Sequence, residues 1–147
     1  DHRDLHSFPT RRSSDLHRDP FLFVDRVEEA TEKRIVAYRR YKESEFFFPG
    51  HFPGYPIVPG VILLETMAQC GGAGVKLLGK YPPESLFYLA SIESAKFRNP
   101  VTPGMEVRFE IENLRLSSKL MKQEGRGFVG DEMIVEARWL CIIKEET

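Results

Sequence analysis

The sequence predicts an α+β fold, an antiparallel β-sheet wrapped on one long central helix. Three observations lead there. Residues 61–78 form a long, mostly apolar stretch with helix signals at both ends. Four segments after it alternate apolar and polar residues with period two. Two shorter strand-like segments precede it, separated from it by a loop dense in Phe, Pro and Gly. One amphipathic sheet and one buried helix satisfy each other as two packed layers.

The elements follow in order. Residues 20–30 (PFLFVDRVEEA) begin with Phe21, Phe23 and Val24 and predict a first strand. Residues 33–42 alternate around Ile35, Ala37, Arg39 and Tyr41 and predict a second, paired with the first across Thr31-Glu32. Residues 43–55 predict an irregular loop, since Pro49, Pro53 and Pro56 continue neither a ladder nor a helix. Pro59 suits a first helical turn and Gly79 suits the residue after a helix end. Between them lie Ala68, Gly71, Gly72, Ala73 and Gly74, which lower helix propensity. Close packing, on the sheet or on a symmetry mate, is the expected gain. Residues 86–97, 106–117, 119–130 and 132–144 predict four more strands, with a Pro/Gly turn at 99–105 and a hairpin at Gly130-Asp131. This plan is that of the hot-dog fold, with one open sheet face and a small-residue helix suited to two copies pairing.

The chain has 147 residues, which predicts one domain with a sizeable core. Its net charge of −1 gives no global basic field that would argue for nucleic acid. No apolar run reaches eighteen residues, so no membrane span is expected. Cys70 and Cys141 have no metal-ligand spacing and demand no disulfide, and a reduced, cytoplasmic setting is the simpler reading.

Residues 1–16 (DHRDLHSFPTRRSSDL) are polar, Arg/Ser-rich and unpatterned. They lack the apolar core of a secretory signal, and their acids argue against a transit peptide. The segment resembles an in-frame translation of a common short-read sequencing adaptor. It is expected to be a disordered, non-native extension, with the true N-terminal sequence missing and the domain running from residue 17 to 147. Of the four histidines, His17 and His51 then remain as authentic.

His51 and Glu65 are the candidate catalytic pair. An isolated loop histidine ordinarily caps backbone groups. His51, however, lies between two Pro-Gly steps, Pro49-Gly50 and Pro53-Gly54, which fix the backbone on either side. Glu65 is not placed like a surface glutamate, because three of its helical neighbours at i±3 and i±4 (Val61, Ile62, Ala68) are apolar. Burial there is expected to raise its pKa and hold it protonated as a proton donor. Gln69 lies one turn on and is placed to hydrogen-bond that carboxyl. Gly60 opens the helix, where free N–H groups and the helix dipole favour a developing oxyanion; it also simply permits a tight turn. A base, an acid and a carbonyl-polarising helix end are the parts of a dehydration at a carbon alpha to a thioester.

Other residues rank below these. His17 stands at the damaged terminus. Cys70 reads as a small core residue. Lys96, Arg98 and Arg108 form either a basic strip for an acidic partner or, the stronger reading, a solvated face. Metal-ligand spacing, a phosphate-cradling Gly loop and a Gly-x-Ser-x-Gly elbow are absent from the sequence.

These residues sit in motifs. They are His17-Arg18-Asp19-Pro20-Phe21-Leu22-Phe23-Val24-Asp25-Arg26-Val27, Gly50-His51-Phe52-Pro53-Gly54, Pro59-Gly60-Val61 with Glu65 and Met67-Ala68-Gln69, and Lys96-Phe97-Arg98 with Pro100-Val101 and Pro103-Gly104. From His17 to about Ile143 the chain resembles the FabZ-type (3R)-3-hydroxyacyl-[acyl-carrier-protein] dehydratases of type II fatty acid synthesis. The resemblance implies His51 as base, Glu65 as acid, Gly60 as the carbonyl-binding amide and Gln69 as a supporting residue. It implies acyl carrier protein as the partner that delivers the substrate, and no metal or organic cofactor. It also implies a homodimer that joins the pair across two subunits, with a trimer of dimers common in the family. Glu65 stands where the related dehydratase-isomerases carry aspartate, which favours the plain dehydratase. Asp19 departs from the aromatic residue usual in the first motif. The alternatives are a hot-dog acyl thioesterase and a non-catalytic acyl-thioester-binding homologue. Acyl chain length, and primary against secondary-metabolite pathway, are not legible in the sequence.

Overall fold

The computed structural model describes residues 22–49 and 54–145. The extension at 1–16, His17, the start of the expected first strand and His51 lie outside the described residues. Among the described residues there are six strands and one helix: β1 (Arg26–Ala30), β2 (Arg34–Arg40), α1 (Gly60–Leu77), β3 (Ser85–Phe97), β4 (Glu106–Leu116), β5 (Leu120–Val129) and β6 (Glu132–Glu145). The strands form one antiparallel sheet in the order β1-β2-β4-β5-β6-β3. This is the hot-dog arrangement expected, and every element after residue 33 matches its sequence-based range to within about two residues, the ordinary scatter of element ends.

The first strand departs from expectation. Strand pairing begins at Arg26, while Leu22, Phe23 and Val24 are buried without forming a ladder. The reason is a competing partner: the Phe23 N–H donates to Gln69 Oε1 on α1 at 2.8 Å, so this backbone bonds the helix and not a strand. Asp25 then turns back to the sheet, its N–H donating to Tyr38 O at 3.0 Å.

One face of the sheet carries Ile35, Ala37, Phe109, Ile111, Met121, Val135, Ala137, Trp139 and Cys141, all buried in the core with Leu63, Met67, Cys70 and Ala73 of α1. The small residues of α1 permit this approach. A Cβ at Gly74 would fall 2.6 Å from Ile35 Cγ1 and Cγ2, and one at Gly71 would fall 2.0 Å from Gln123 Oε1. Of the two explanations the sequence leaves open, packing on the sheet accounts for these two glycines. The Thr66 hydroxyl donates to Ile62 O at 2.7 Å, which leaves its oxygen to accept from the Tyr41 hydroxyl at 2.6 Å. This bond ties α1 to the chain just beyond β2.

The opposite face is polar. On it Arg108, Glu110, Glu124, Arg126, Glu136, Arg138 and Lys96 interleave across β4, β5, β6 and β3. Strand β3 closes the sheet as a 13-residue edge, and Ile92 and Phe97 on it stay substantially exposed in the single chain.

Candidate active site

Helix α1 positions three of the four expected site residues. Its first residue is Gly60, preceded by Pro59, whose side chain cannot cap a helix. Pro59 O accepts from Ile62 N at 2.9 Å and from Leu63 N at 3.2 Å. Among the described residues, nothing accepts from the Gly60 or Val61 N–H. Unpaired amides at a helix start carry the positive end of the dipole and suit a polarised carbonyl oxygen. The absent side chain has a second consequence. A Cβ at Gly60 would lie 2.9 Å from Phe97 Cε1 and Cζ, so glycine lets the Phe97 ring close over the helix start.

Glu65 stands one and a half turns on and is half-buried in the single chain. The full burial anticipated from its neighbours is therefore not reached within one subunit. Gln69 Nε2 donates to Glu65 Oε2 at 2.9 Å, as its spacing of one turn predicts. Gln69 itself is buried, and its Oε1 is held by the Phe23 N–H. The amide is thereby fixed in orientation: its oxygen faces residue 23 and its nitrogen faces the acid. The contact with Phe23 was not foreseen from sequence, because nothing local signals that residue 23 leaves its strand.

His51 lies outside the described residues, so its distance to Glu65 is not part of this geometry. The described residue that follows its segment, Gly54, has φ 85°, a left-handed conformation that glycine adopts readily.

Cys141 on β6 lies under α1 and is buried. Burial, with a smaller contribution from the negative charge of Glu65, pushes its thiol up to about 12. The thiolate is the reactive form, so Cys141 is expected to resist alkylation by iodoacetamide at pH 8 in the folded protein, and burial alone shields Cys70 from the reagent. Mass spectrometry reads this directly, and rapid labelling of Cys141 before unfolding would contradict it. Among the described residues no three His, Cys, Asp or Glu side chains converge as a metal site, and no helix is long and apolar enough to cross a membrane.

Two of the three residues of the basic strip have a carboxylate partner. Arg98 bonds Glu136 through Nε at 2.7 Å, and Arg108 bonds Glu110 at 2.8 Å. Glu136 in turn is held below the usual carboxylate range by the bond from Arg98, with Lys96 and Arg126 adding to the effect. Both pairs fit a solvated, charge-matched face.

Comparison with known proteins places the chain. A model of the FabA-like domain family matches residues 16–138. The 3-hydroxyacyl-[acyl-carrier-protein] dehydratase FabZ of Koribacter versatilis is 47% identical over 130 residues, covering 86% of this chain and 82% of that protein. The enzyme of the same name from Desulforamulus reducens is 41% identical over 131 residues, covering 88% and 92%. Among solved structures, the dehydratase heterocomplex ApeI:P from Xenorhabdus doucetiae superposes with a TM-score of 0.81 at 17% identity, covering 95% of this chain and 93% of that one, which supports the fold. A hypothetical thioesterase with coenzyme A from Streptococcus pneumoniae superposes at 0.60 with 11% identity, covering 82% and 85%, again a likeness of fold alone. On its sequence and its fold together, the chain belongs to the FabZ family of 3-hydroxyacyl-[acyl-carrier-protein] dehydratases, within the wider FabA-like domain family.

Proposed function

We propose that the protein removes water from (3R)-3-hydroxyacyl thioesters borne by acyl carrier protein, giving trans-2-enoyl thioesters in fatty acid biosynthesis. The observation that carries this reading is the order of groups along α1: the Gly60 and Val61 amides, unpaired among the described residues, then a glutamate whose Oε2 is engaged by an oriented glutamine. The thioester oxygen accepts from the Gly60 N–H, which stabilises the enolate that forms when a base takes the α proton. His51 is that base. Glu65 gives its proton to the β-hydroxyl as the C–O bond breaks, and water leaves. Glu65 is left as a carboxylate and His51 as an imidazolium, and proton return between them resets the site. Gln69 holds the carboxyl so that Oε1 faces the substrate.

A homodimer completes the site in this reading, His51 of one subunit serving Glu65 of the other. The half-buried Glu65 and the long, partly apolar free edge of β3 support it, since such edges are ordinarily covered. Further assembly into a trimer of dimers fits the same family. Two buried free thiols fit a reducing compartment such as the cytoplasm.

The test is a product assay on 3-hydroxyacyl-acyl carrier protein across chain lengths. Enoyl-thioester formation with the thioester intact is the expected result. Release of free carrier thiol without enoyl product would instead indicate a thioesterase, and binding without turnover a non-catalytic homologue.

A further inference from the structure

Arg39 is a buried cation on β2 that the reaction does not touch. Its Nη1 bonds Asp25 Oδ1 at 3.0 Å and its Nη2 bonds Glu45 Oε2 at 2.7 Å. The guanidinium carbon stands 5.7 Å from the centre of the Phe23 ring and 5.1 Å from that of Tyr41. Burying a cation between two carboxylates is costly and contributes little net stability.

Its contacts define a role. Asp25 is held on three sides: by Arg39, by the Arg40 N–H to its Oδ2 at 2.7 Å, and through its own N–H to Tyr38 O. Arg39 also faces the ring of Phe23, two residues back. It therefore grips residues 23–25 at both ends, by charge at Asp25 and by cation–π contact at Phe23. Between these two contacts the segment leaves the sheet and aims the Phe23 N–H at Gln69. Gln69 relays that constraint to Glu65.

We propose that Arg39 is a positioning residue for the acid Glu65, acting through residues 23–25 and the Gln69 amide. The inference rests on the dehydratase reading for its catalytic consequence, but the clamp itself is independent of it. A lysine at position 39 keeps the charge and cannot hold two carboxylates in one planar fork. Loosening residues 23–25 frees the Gln69 amide to turn, and Glu65 loses its fixed orientation.

The experiment combines kinetics with hydrogen exchange on the full chain. Arg39→Lys is the first variant; Asp25→Asn, at a partly exposed position, is the second should the first fail to fold. Each is expected to lower kcat about tenfold, the scale of a small misplacement of a catalytic group. KM should stay within about twofold, because substrate binding is not altered. Gln69→Ala alone should show the same loss, and adding Arg39→Lys to it should cost nothing further, because the link is already cut. A role confined to general stability would multiply the two losses, and that result would overturn the proposal. The Phe23 amide, followed by exchange without substrate, should lose protection in Arg39→Lys; unchanged protection would overturn it too. Failure of the wild-type protein to form enoyl product would reject the dehydratase reading, and the exchange result would still decide the clamp.

Discussion

Replacing Glu65 by glutamine is expected to lower the dehydration rate by about 10²–10⁴-fold, the range for loss of a positioned general acid. The substitution preserves the local structure: a glutamine at 65 keeps an acceptor oxygen for Gln69 Nε2, and the two side chains stay the same length. Only the transferable proton is removed. His51→Ala should produce a loss of similar size by removing the base. Folding should be retained in both, which circular dichroism and thermal unfolding check. Mixing the two inactive proteins after dissociation and reassociation carries more information. In the proposed pairing across subunits, a mixed dimer holds one site with both groups intact and one with neither. A statistical mixture of symmetric dimers then regains about one quarter of wild-type activity. A pair lying within one subunit would regain none. Wild-type-like turnover in either single variant would sink the assignment of the pair.

Gly74→Val is expected to be the most damaging change away from the site, at roughly 3 kcal/mol or more, beyond the usual cost of overpacking. A Cβ there already falls 2.6 Å from two Ile35 carbons and 2.9 Å from a third, and valine adds two more atoms. Ile35 has nowhere to go: it is wholly buried on β2, paired with Ala30 on one side and Ile111 on the other. The melting temperature should fall by roughly 10 °C. Gly74→Ala should do less, since alanine recovers about 1 kcal/mol of helix propensity. Ile35→Ala opens the space that valine needs. The double variant Gly74→Val/Ile35→Ala should therefore be more stable than the sum of the single losses by at least about 1 kcal/mol. Simple additivity would show that the contact is not the cause.

The legible part of this fold was the part written in period two. Alternation in β2, β4, β5 and β6 was sufficient because one face of each strand meets α1, and a Pro and a Gly marked where that helix begins and ends. Arg39 was visible in the same pattern: it shares a face with Ile35, Ala37 and Tyr41, and a charged residue at an inward position signals a buried partner set. The partners themselves, Asp25 and Glu45, are 14 and 6 residues away in sequence and become neighbours only in the folded chain. Nor could sequence show the two irregularities in β3, between Leu89 and Ser91 and between Ile92 and Ser94, which shift its register against β6. Within the site, Gln69 was legible from its one-turn spacing to Glu65. Its second bond, to residue 23, was not, because that bond exists only where the first strand gives way.

The outer sheet face bears on how a charged partner arrives. Arg98, Arg108 and Arg138 stand against Glu136, Glu110 and Glu124, and Lys122 against Glu93, so at these four pairs attraction and repulsion largely cancel, while Lys96 and Arg126 beside Glu136 leave a small local positive excess. An approaching acidic protein feels only a weak, short-ranged pull from this side, and its diffusion is steered little there. Association through this face would consequently gain little speed from charge and weaken only modestly with ionic strength, whereas capture elsewhere on the surface by a strongly unbalanced positive field would weaken steeply as salt is added.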